Sequence, residues 1–311
     1  MSRRALLLVL ATVGLTVALS GCATFTEADT VVTVGAIRID QSRLDAMLTE
    51  YSTRGDLFGT TPLADDTTAP ADQARTLLGA MVVSAAVQDV LAAAGDAITS
   101  GDRALFLDTL AADSPVLSLE SGLADLIADT QTAVIESTMS RAEPIPAAEL
   151  ERRYAIDPGS TGFLCVRHIL LASEADALDV LTELGAGTDF AELAGERSIE
   201  EIASLTGGAI DDGDSACVPT SQYAQAFDPV FTAAAHATPG TEVSEPVETT
   251  FGWHVIMHRP WAEVGSEIVT AHATDTTGRH VLDARLAGDD IRIDPRYGRW
   301  NPATNRVEPI G

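Results

Sequence analysis

The sequence predicts an α+β fold, in which a mainly helical N-terminal part precedes a smaller domain of short strands and packed helices. Apolar residues recur at helical spacing over much of residues 42–139. Two short apolar strands follow, at 166–171 and 251–257, and four short helical segments lie between them. The run Pro144-Ile145-Pro146 marks the boundary, because proline restricts its own backbone and that of the residue before it.

The composition predicts a globular and strongly acidic protein. The 311 residues suffice for two domains and a tail, and a hydrophobic content of 46% allows sizeable buried cores. With 46 acidic against 19 basic residues, the net charge is −27. Such a surface repels nucleic acid and disfavours wide contact with anionic lipid headgroups. We therefore expect no nucleic-acid partner.

Residues 1–21 are predicted to be a signal peptide. Arg3-Arg4 is a basic start, and the apolar stretch 5–19 is shorter than the roughly 20 residues of a membrane-spanning helix. Leu19-Ser20-Gly21-Cys22 resembles a bacterial lipobox, which implies that Cys22 is lipidated and holds the protein on the outer face of the cell membrane. The alternative is an ordinary signal peptide with a chance cysteine. The export route, general secretory or twin-arginine, stays open.

Residues 22–146 are predicted to form a helical module. It opens with two extended segments around Gly35, followed by a helix with an apolar stripe from Leu44 to Tyr51. After a polar loop at 52–70, further helices are expected over 72–94, 103–110 and 119–139. This strand-then-helix opening resembles the N-terminal module of extracytoplasmic chaperones of the SurA and PrsA type.

The second domain, residues 147–260, carries an ordered set of motifs. His168 is central in the strand 166–171, Gly207-Gly208 follows, then the run 222–227, and His254 lies in the strand 251–257. This set resembles a parvulin-type peptidyl-prolyl cis-trans isomerase over roughly residues 161–260. The resemblance implies a small antiparallel sheet with packed helices and isomerisation of Xaa-Pro bonds without cofactor or metal.

The resemblance also implies roles for individual residues. His168 and His254 match the two central histidines of the family, which orient and polarise the site. The implied substrate-binding residues are Ile210, Tyr223, Phe227 and Phe251, and Phe227 matches the phenylalanine that stacks on proline. The segment after the double glycine is longer and more acidic than in the family, so Ser215 is an alternative to Ile210.

One implied catalytic position departs from the family. Glu200 stands where the family usually has Cys or Asp, and its carboxylate is able to accept a hydrogen bond from the histidines. If it turns to solvent instead, the site is weak or inactive. His168 and His254 with Glu200 also suggest zinc, but no clustered ligand motif supports a metal.

Two features remain, the cysteines and the tail. With Cys22 lipidated, an even remainder, Cys165 and Cys217, suggests a disulfide in an oxidising compartment, and two buried thiols are the alternative. The tail, residues 261–311, ends in an Asp-Pro-Arg-Tyr-Gly-Arg-Trp run at 294–300. It resembles tails of actinobacterial chaperones of this type, which implies packing on the N-terminal module.

Together these features predict a lipid-anchored, exported foldase. Its partners would be unfolded or nascent exported proteins and proline-containing peptides. The alternative is a holdase chaperone whose parvulin domain binds peptides without turning them over.

Overall fold

In the computed structural model of the protein, the described residues are 29–64, 69–211, 215–240, 242–274, 277–288 and 290–310. The predicted signal peptide and Cys22 lie outside them. The predicted α+β class is confirmed, since helices predominate and the strands form small antiparallel sheets.

The described residues of the N-terminal part form two strands and five α-helices. They are β1 (Thr30–Val34), β2 (Ile37–Asp40), α1 (Gln41–Thr53), α2 (Ala71–Ala93), α3 (Ser100–Leu107), α4 (Ser121–Asp129) and α5 (Thr132–Met139). By length and composition α2 is able to cross a membrane, but most of it is buried in the protein as the central core helix. The single helix expected over 119–139 is wrong. Gln131 has an extended backbone and the Thr130 hydroxyl bonds the Ile127 carbonyl, so α4 ends there and α5 begins anew.

The C-terminal residues complete the same core. They form α12 (Trp261–Ala271), α13 (Thr277–Ala287), β8 (Ile291–Ile293), β9 (Arg299–Asn301) and β10 (Arg306–Glu308). Strand β8 pairs antiparallel with β1, which is the middle strand of the sheet β2-β1-β8. The Trp300 indole N–H donates to the Leu286 carbonyl at 2.7 Å, which ties β9 to α13. The two ends of the chain therefore share one hydrophobic cluster, which includes Leu78, Leu282 and Ile293.

The intervening residues fold around a second antiparallel sheet. Their elements are α6 (Ala147–Ile156), β3 (Phe163–Leu164), β4 (Val166–Leu171), α7 (Glu174–Gly185), α8 (Phe190–Arg197), α9 (Ala203–Thr206), β5 (Val218–Pro219), α10 (Thr220–Ala226), α11 (Pro229–Ala237), β6 (Val247–Thr249) and β7 (Gly252–His258). The sheet order is β4-β7-β6.

Alternation along the strands divides the side chains between the two faces of this sheet. Ile169 and Val255 pack with α7 and α8 on one face. Val166 and Ile256 pack with α10 and α11 on the other. A disulfide joins Cys165 and Cys217, just before β4 and β5 respectively.

Candidate functional site

The strand register brings the two histidines together. In the antiparallel pair β4–β7, His168 stands opposite Ile256, and His254 stands opposite Leu170. The histidines are therefore diagonal neighbours on the face that carries α11, within side-chain reach of each other. Their Nδ1 atoms are 3.2 Å apart, and their rings are nearly parallel, at 19°.

The outer nitrogen of each ring has its own partner. His168 Nε2 lies 2.9 Å from Glu200 Oε2, and His254 Nε2 lies 2.8 Å from the Thr249 hydroxyl. The same hydroxyl accepts the Phe251 backbone N–H at 3.1 Å. Because all four ring nitrogens of the pair take part in hydrogen bonds, none is turned toward an ion. Within the described residues, no group of three or more His, Cys, Asp or Glu side chains could hold a metal.

These contacts fix the direction of a hydrogen-bond chain. An ionised carboxylate only accepts, so His168 carries its proton on Nε2 and accepts on Nδ1. His254 must then donate from Nδ1 and accept on Nε2. Since the Thr249 oxygen already accepts from Phe251, its hydroxyl proton is available for His254. We thus assign one ordered chain, from the Phe251 amide through Thr249, His254 and His168 to Glu200.

Both histidines are neutral at physiological pH. Burial lowers the pKa of His168 to about 4. Burial, followed by the neighbouring His168, lowers the pKa of His254 to about 4 as well. The chain above agrees with a neutral pair, and it excludes two imidazolium rings, which would place two Nδ1 protons against each other.

The segment after α8 holds Glu200 beside the pair. The Ser198 hydroxyl accepts the Leu170 backbone N–H at 3.2 Å and the Glu200 backbone N–H at 3.3 Å. The Ile199 N–H donates to the Leu170 carbonyl at 2.8 Å. These bonds attach residues 198–200 to the end of β4, so the Glu200 side chain is aimed at His168 although it is 37% exposed.

Aromatic rings form the wall next to the histidines. Phe231, on α11, meets His254 edge-on with ring centroids 5.1 Å apart, and it meets His168 at 5.5 Å. Phe227 lies between Phe231 and Tyr223, with centroid distances of 6.1 and 4.4 Å. The result is a continuous apolar surface over a neutral polar pair.

A cavity of about 350 Å³ opens above these groups. Six of the predicted site residues line it, namely His168, Glu200, Ile210, Phe227, Phe251 and His254. Phe231 lines it too, although the sequence analysis missed it. A cavity of about 400 Å³ also lies between α1, α2 and Tyr297, but the paired histidines are at the smaller one, where we locate the chemistry.

Two predicted residues lie elsewhere. Tyr223 is fully buried behind Phe227 and supports that ring, so it does not contact a substrate in the cavity. Ser215, the alternative to Ile210, is not in the cavity lining and bonds Glu267 on α12.

The sequence analysis also missed Thr249. Only the pairing of Val247 with His254 brings β6, and with it Thr249, alongside the histidine.

Residues 170–259 match the family model described as Rotamase, the PPIC-type PPIASE domain. The chain carries a PPIC-type peptidyl-prolyl isomerase domain. The match includes Glu200, Phe227 and His254, and begins two residues after His168. The parvulin resemblance drawn from the sequence is therefore confirmed.

Curated relatives match the same part of the chain. It is 41% identical over 91 residues to a parvulin-like PPIase of Rickettsia bellii, covering 29% of this chain and 30% of the relative. It is 40% identical over 93 residues to the foldase protein PrsA of Halalkalibacterium halodurans, covering 29% and 24%. A chaperone SurA of Hahella chejuensis is 30% identical over 132 residues, covering 39% and 28%. The chain thus spans less than a third of the length of these relatives.

Solved structures give a weaker likeness. PrsA from Bacillus subtilis superposes with a TM-score of 0.28 at 19% identity, over 76% of this chain and 88% of that one. NmPin, the parvuline of Nitrosopumilus maritimus, gives 0.27 at 28% identity, over 31% and 95%.

Proposed function

We propose that this protein is a foldase that isomerises Xaa-Pro peptide bonds in unfolded or nascent proteins. One observation carries the proposal. A cavity with an aromatic wall, formed by Phe227 and Phe231, opens onto a neutral and directionally bonded histidine pair. Such a site is suited to hold a proline ring and to favour one state of the amide that precedes it.

Isomerisation of an Xaa-Pro bond needs little more than such a site. Rotation about the Xaa-Pro bond is slow because the planar amide must lose its resonance, which takes roughly 18–20 kcal/mol. A site accelerates the rotation when it binds the twisted amide more tightly than either planar form. In this proposal Phe227 grips the proline ring, and the chain from Thr249 to Glu200 keeps the histidine pair rigid beneath the rotating bond.

Glu200 has a supporting role in the proposal. Its carboxylate accepts the Nε2 proton of His168, which selects the tautomer that lets His168 accept from His254. Glu200 therefore orders the pair and exchanges no proton with the substrate. The longer side chain, compared with Asp, still reaches the ring at 2.9 Å.

We further propose that the protein is exported and anchored by lipid on Cys22. The apolar stretch 5–19 and the motif ending at Cys22 support this, and the Cys165–Cys217 disulfide suits an oxidising compartment. In cells supplied with a labelled fatty acid, the wild type should incorporate the label and Cys22→Ser should not. Equal labelling of both forms would reject the lipid anchor.

The division of the chain into residues 22–146, 147–260 and 261–311 is likewise a proposal. The pairing of β8 with β1 and the shared hydrophobic cluster support one chaperone module built from both chain ends. The isomerase domain is then an insertion in that module.

A holdase chaperone is the second candidate. Large apolar side chains are exposed beside the cavity, where a client could bind without turnover. Leu205 is 83% exposed, Phe251 69% and Ile202 58%. This surface favours peptide binding whether or not the bond is isomerised.

A cis–trans isomerisation assay on Xaa-Pro peptides tests the first candidate. The full chain, purified in mild detergent, should accelerate isomerisation, and Phe227→Ala should remove most of the acceleration. Phe106→Ala, which truncates a phenylalanine on α3, is the matched control. A folded Phe227→Ala protein with full activity would refute the assigned cavity. A wild type that binds the peptides without turnover would favour the holdase.

A further inference from the structure

Helix α13, from the C-terminal part, packs directly against the isomerase domain. Gly162 has a φ of +88°, and a Cβ added there would lie 2.5 Å from the His280 carbonyl oxygen on α13. The Gly162 carbonyl in turn accepts the backbone N–H of Thr220, the first residue of α10, at 2.9 Å. The backbone of Gly162 therefore joins the two helices, since it packs against α13 and accepts a hydrogen bond from the start of α10.

A buried side-chain contact lies beside this point. Asp283, on α13, is 2% exposed, and its Oδ2 accepts the Ser221 hydroxyl at 3.0 Å. Ser221 is the second residue of α10. A buried carboxylate is costly to retain even where, as here, a hydroxyl donates to it, so its presence in this interface calls for a role.

The other end of α10 reaches the cavity. Phe227 follows the helix directly, and its N–H donates to the Tyr223 carbonyl at 3.1 Å. Its ring stacks on Tyr223, with centroids 4.4 Å apart. Helix α10 has only seven residues, too few to be stable without its neighbours. Contacts at its start therefore set the position of the residue at its end.

We propose that Asp283 is a positioning residue for the isomerase site: through Ser221 it fixes α10 on α13, and so fixes Phe227 at the cavity. This rests on the proposed function, in which Phe227 grips the proline ring. The helical module and the isomerase domain are thus coupled through one short helix.

The charge of Asp283 makes this coupling depend on pH. Burial raises its pKa to about 7, and the hydrogen bond from Ser221 and the charge of Arg279, on the same helix, oppose the shift. Other charged or titratable groups around α13 include Glu136, paired with Arg279, and Asp89 and Asp290, paired with Arg285. The buried Tyr223 and His272 and the half-buried His280 also lie there. Burial lowers the pKa of His280 to about 4 and also lowers that of His272, and it raises that of Tyr223, so all three shifts lead away from pH 7.

The direction of the pH effect follows from the linkage between proton binding and folding. The folded pKa of Asp283 exceeds its ordinary value of 3.8, so stability falls as pH rises from about 4 to 7. Above pH 7 the carboxylate is charged inside the interface. The Ser221 hydrogen bond favours this charged form, but the cost of burying the charge is larger, so the packing of α10 on α13 is then least stable. The isomerase should then hold proline less tightly at pH 8 than at pH 6.

Steady-state kinetics on Xaa-Pro peptides between pH 5.5 and 8.5 test this on the full chain. In the wild type KM should rise through pH 7, with kcat changing less. Asp283→Asn should flatten the KM profile. Ser221→Ala should raise KM by about 2- to 10-fold, the range expected for loss of one hydrogen bond. Ser221→Thr, which keeps the hydroxyl, should have the KM of the wild type. Asp179→Asn and Ser266→Ala, at exposed helical positions, are the matched controls.

Hydrogen exchange of residues 220–227 gives a readout that needs no turnover. It should be faster in Ser221→Ala than in the wild type after correction for intrinsic rates. If the wild type does not isomerise, the proposed function fails, and the peptide Kd takes the place of KM. The inference is overturned if Asp283→Asn and Ser221→Ala both leave KM or Kd as in the wild type. It is also overturned if hydrogen exchange becomes faster while KM stays constant, because the contact would then be structural only.

Discussion

Reducing the Cys165–Cys217 disulfide should lower the stability of the isomerase domain by an amount set by the loop that it closes. The two cysteines are 52 residues apart in sequence. The loss of chain entropy in the unfolded state is then about 14 cal/mol/K, or about 4 kcal/mol at 25 °C. This is a large share of the roughly 5–15 kcal/mol that stabilises a typical domain.

Urea unfolding of the wild type, with and without a phosphine reductant, measures this difference in one sequence. Both sulfurs are buried, so the samples must equilibrate through the unfolded state, where the bond is accessible. The fluorescence of Trp261, which packs in the same hydrophobic cluster as the two cysteines, reports unfolding close to the disulfide, and that of Trp253 reports unfolding of β7. With an m value of about 2–3 kcal/mol per M, the midpoint should fall by between about 1 and 2 M.

A variant without the bond separates this effect from other actions of the reductant. Cys165→Ala/Cys217→Ala should unfold at the same urea concentration in both conditions. Equal midpoints for the oxidised and reduced wild type would refute the reasoning, because the bond would then contribute nothing to the difference between the folded and unfolded states.

Two further predictions concern the histidine pair. Glu200→Ala should lower kcat/KM by about 3- to 10-fold, because His168 loses a partly solvated acceptor. Glu201→Ala, which removes the same charge nearby, is the control. Equal losses of kcat/KM in the two variants would reject the role of Glu200. The kcat, followed by NMR exchange, should stay level from pH 8 to 6 and fall toward pH 4, where His168 and His254 become protonated. A kcat that titrates near 6.5 would contradict a neutral pair.

The site lies on the sheet face turned toward α11, and that placement follows from strand register alone. A shift of one residue in the pairing of β4 with β7 would turn one of the two histidines to the face covered by α7 and α8 and so separate the pair. The apolar residues on both faces fix the register, so the same contacts that build the core also align the imidazoles.

The residues that the sequence itself identified are those with a local signal. His168 and His254 are each central in a short apolar strand, and Phe227 stands at a fixed place in the order of motifs. The α+β class follows from the change between helical and strand periodicity, which is likewise local. These features need no knowledge of what lies far away along the chain.

Only the tertiary structure decided the rest, because distant segments create it. Thr249 becomes the partner of His254 through the register of β6, and Tyr223 is removed from the cavity by Phe227. Asp283 is one of many acidic residues in the sequence, yet its burial against Ser221 is set by the docking of α13 on α10. Sequence patterns show which face of an element is apolar, but the partner of a polar atom is fixed when the elements pack.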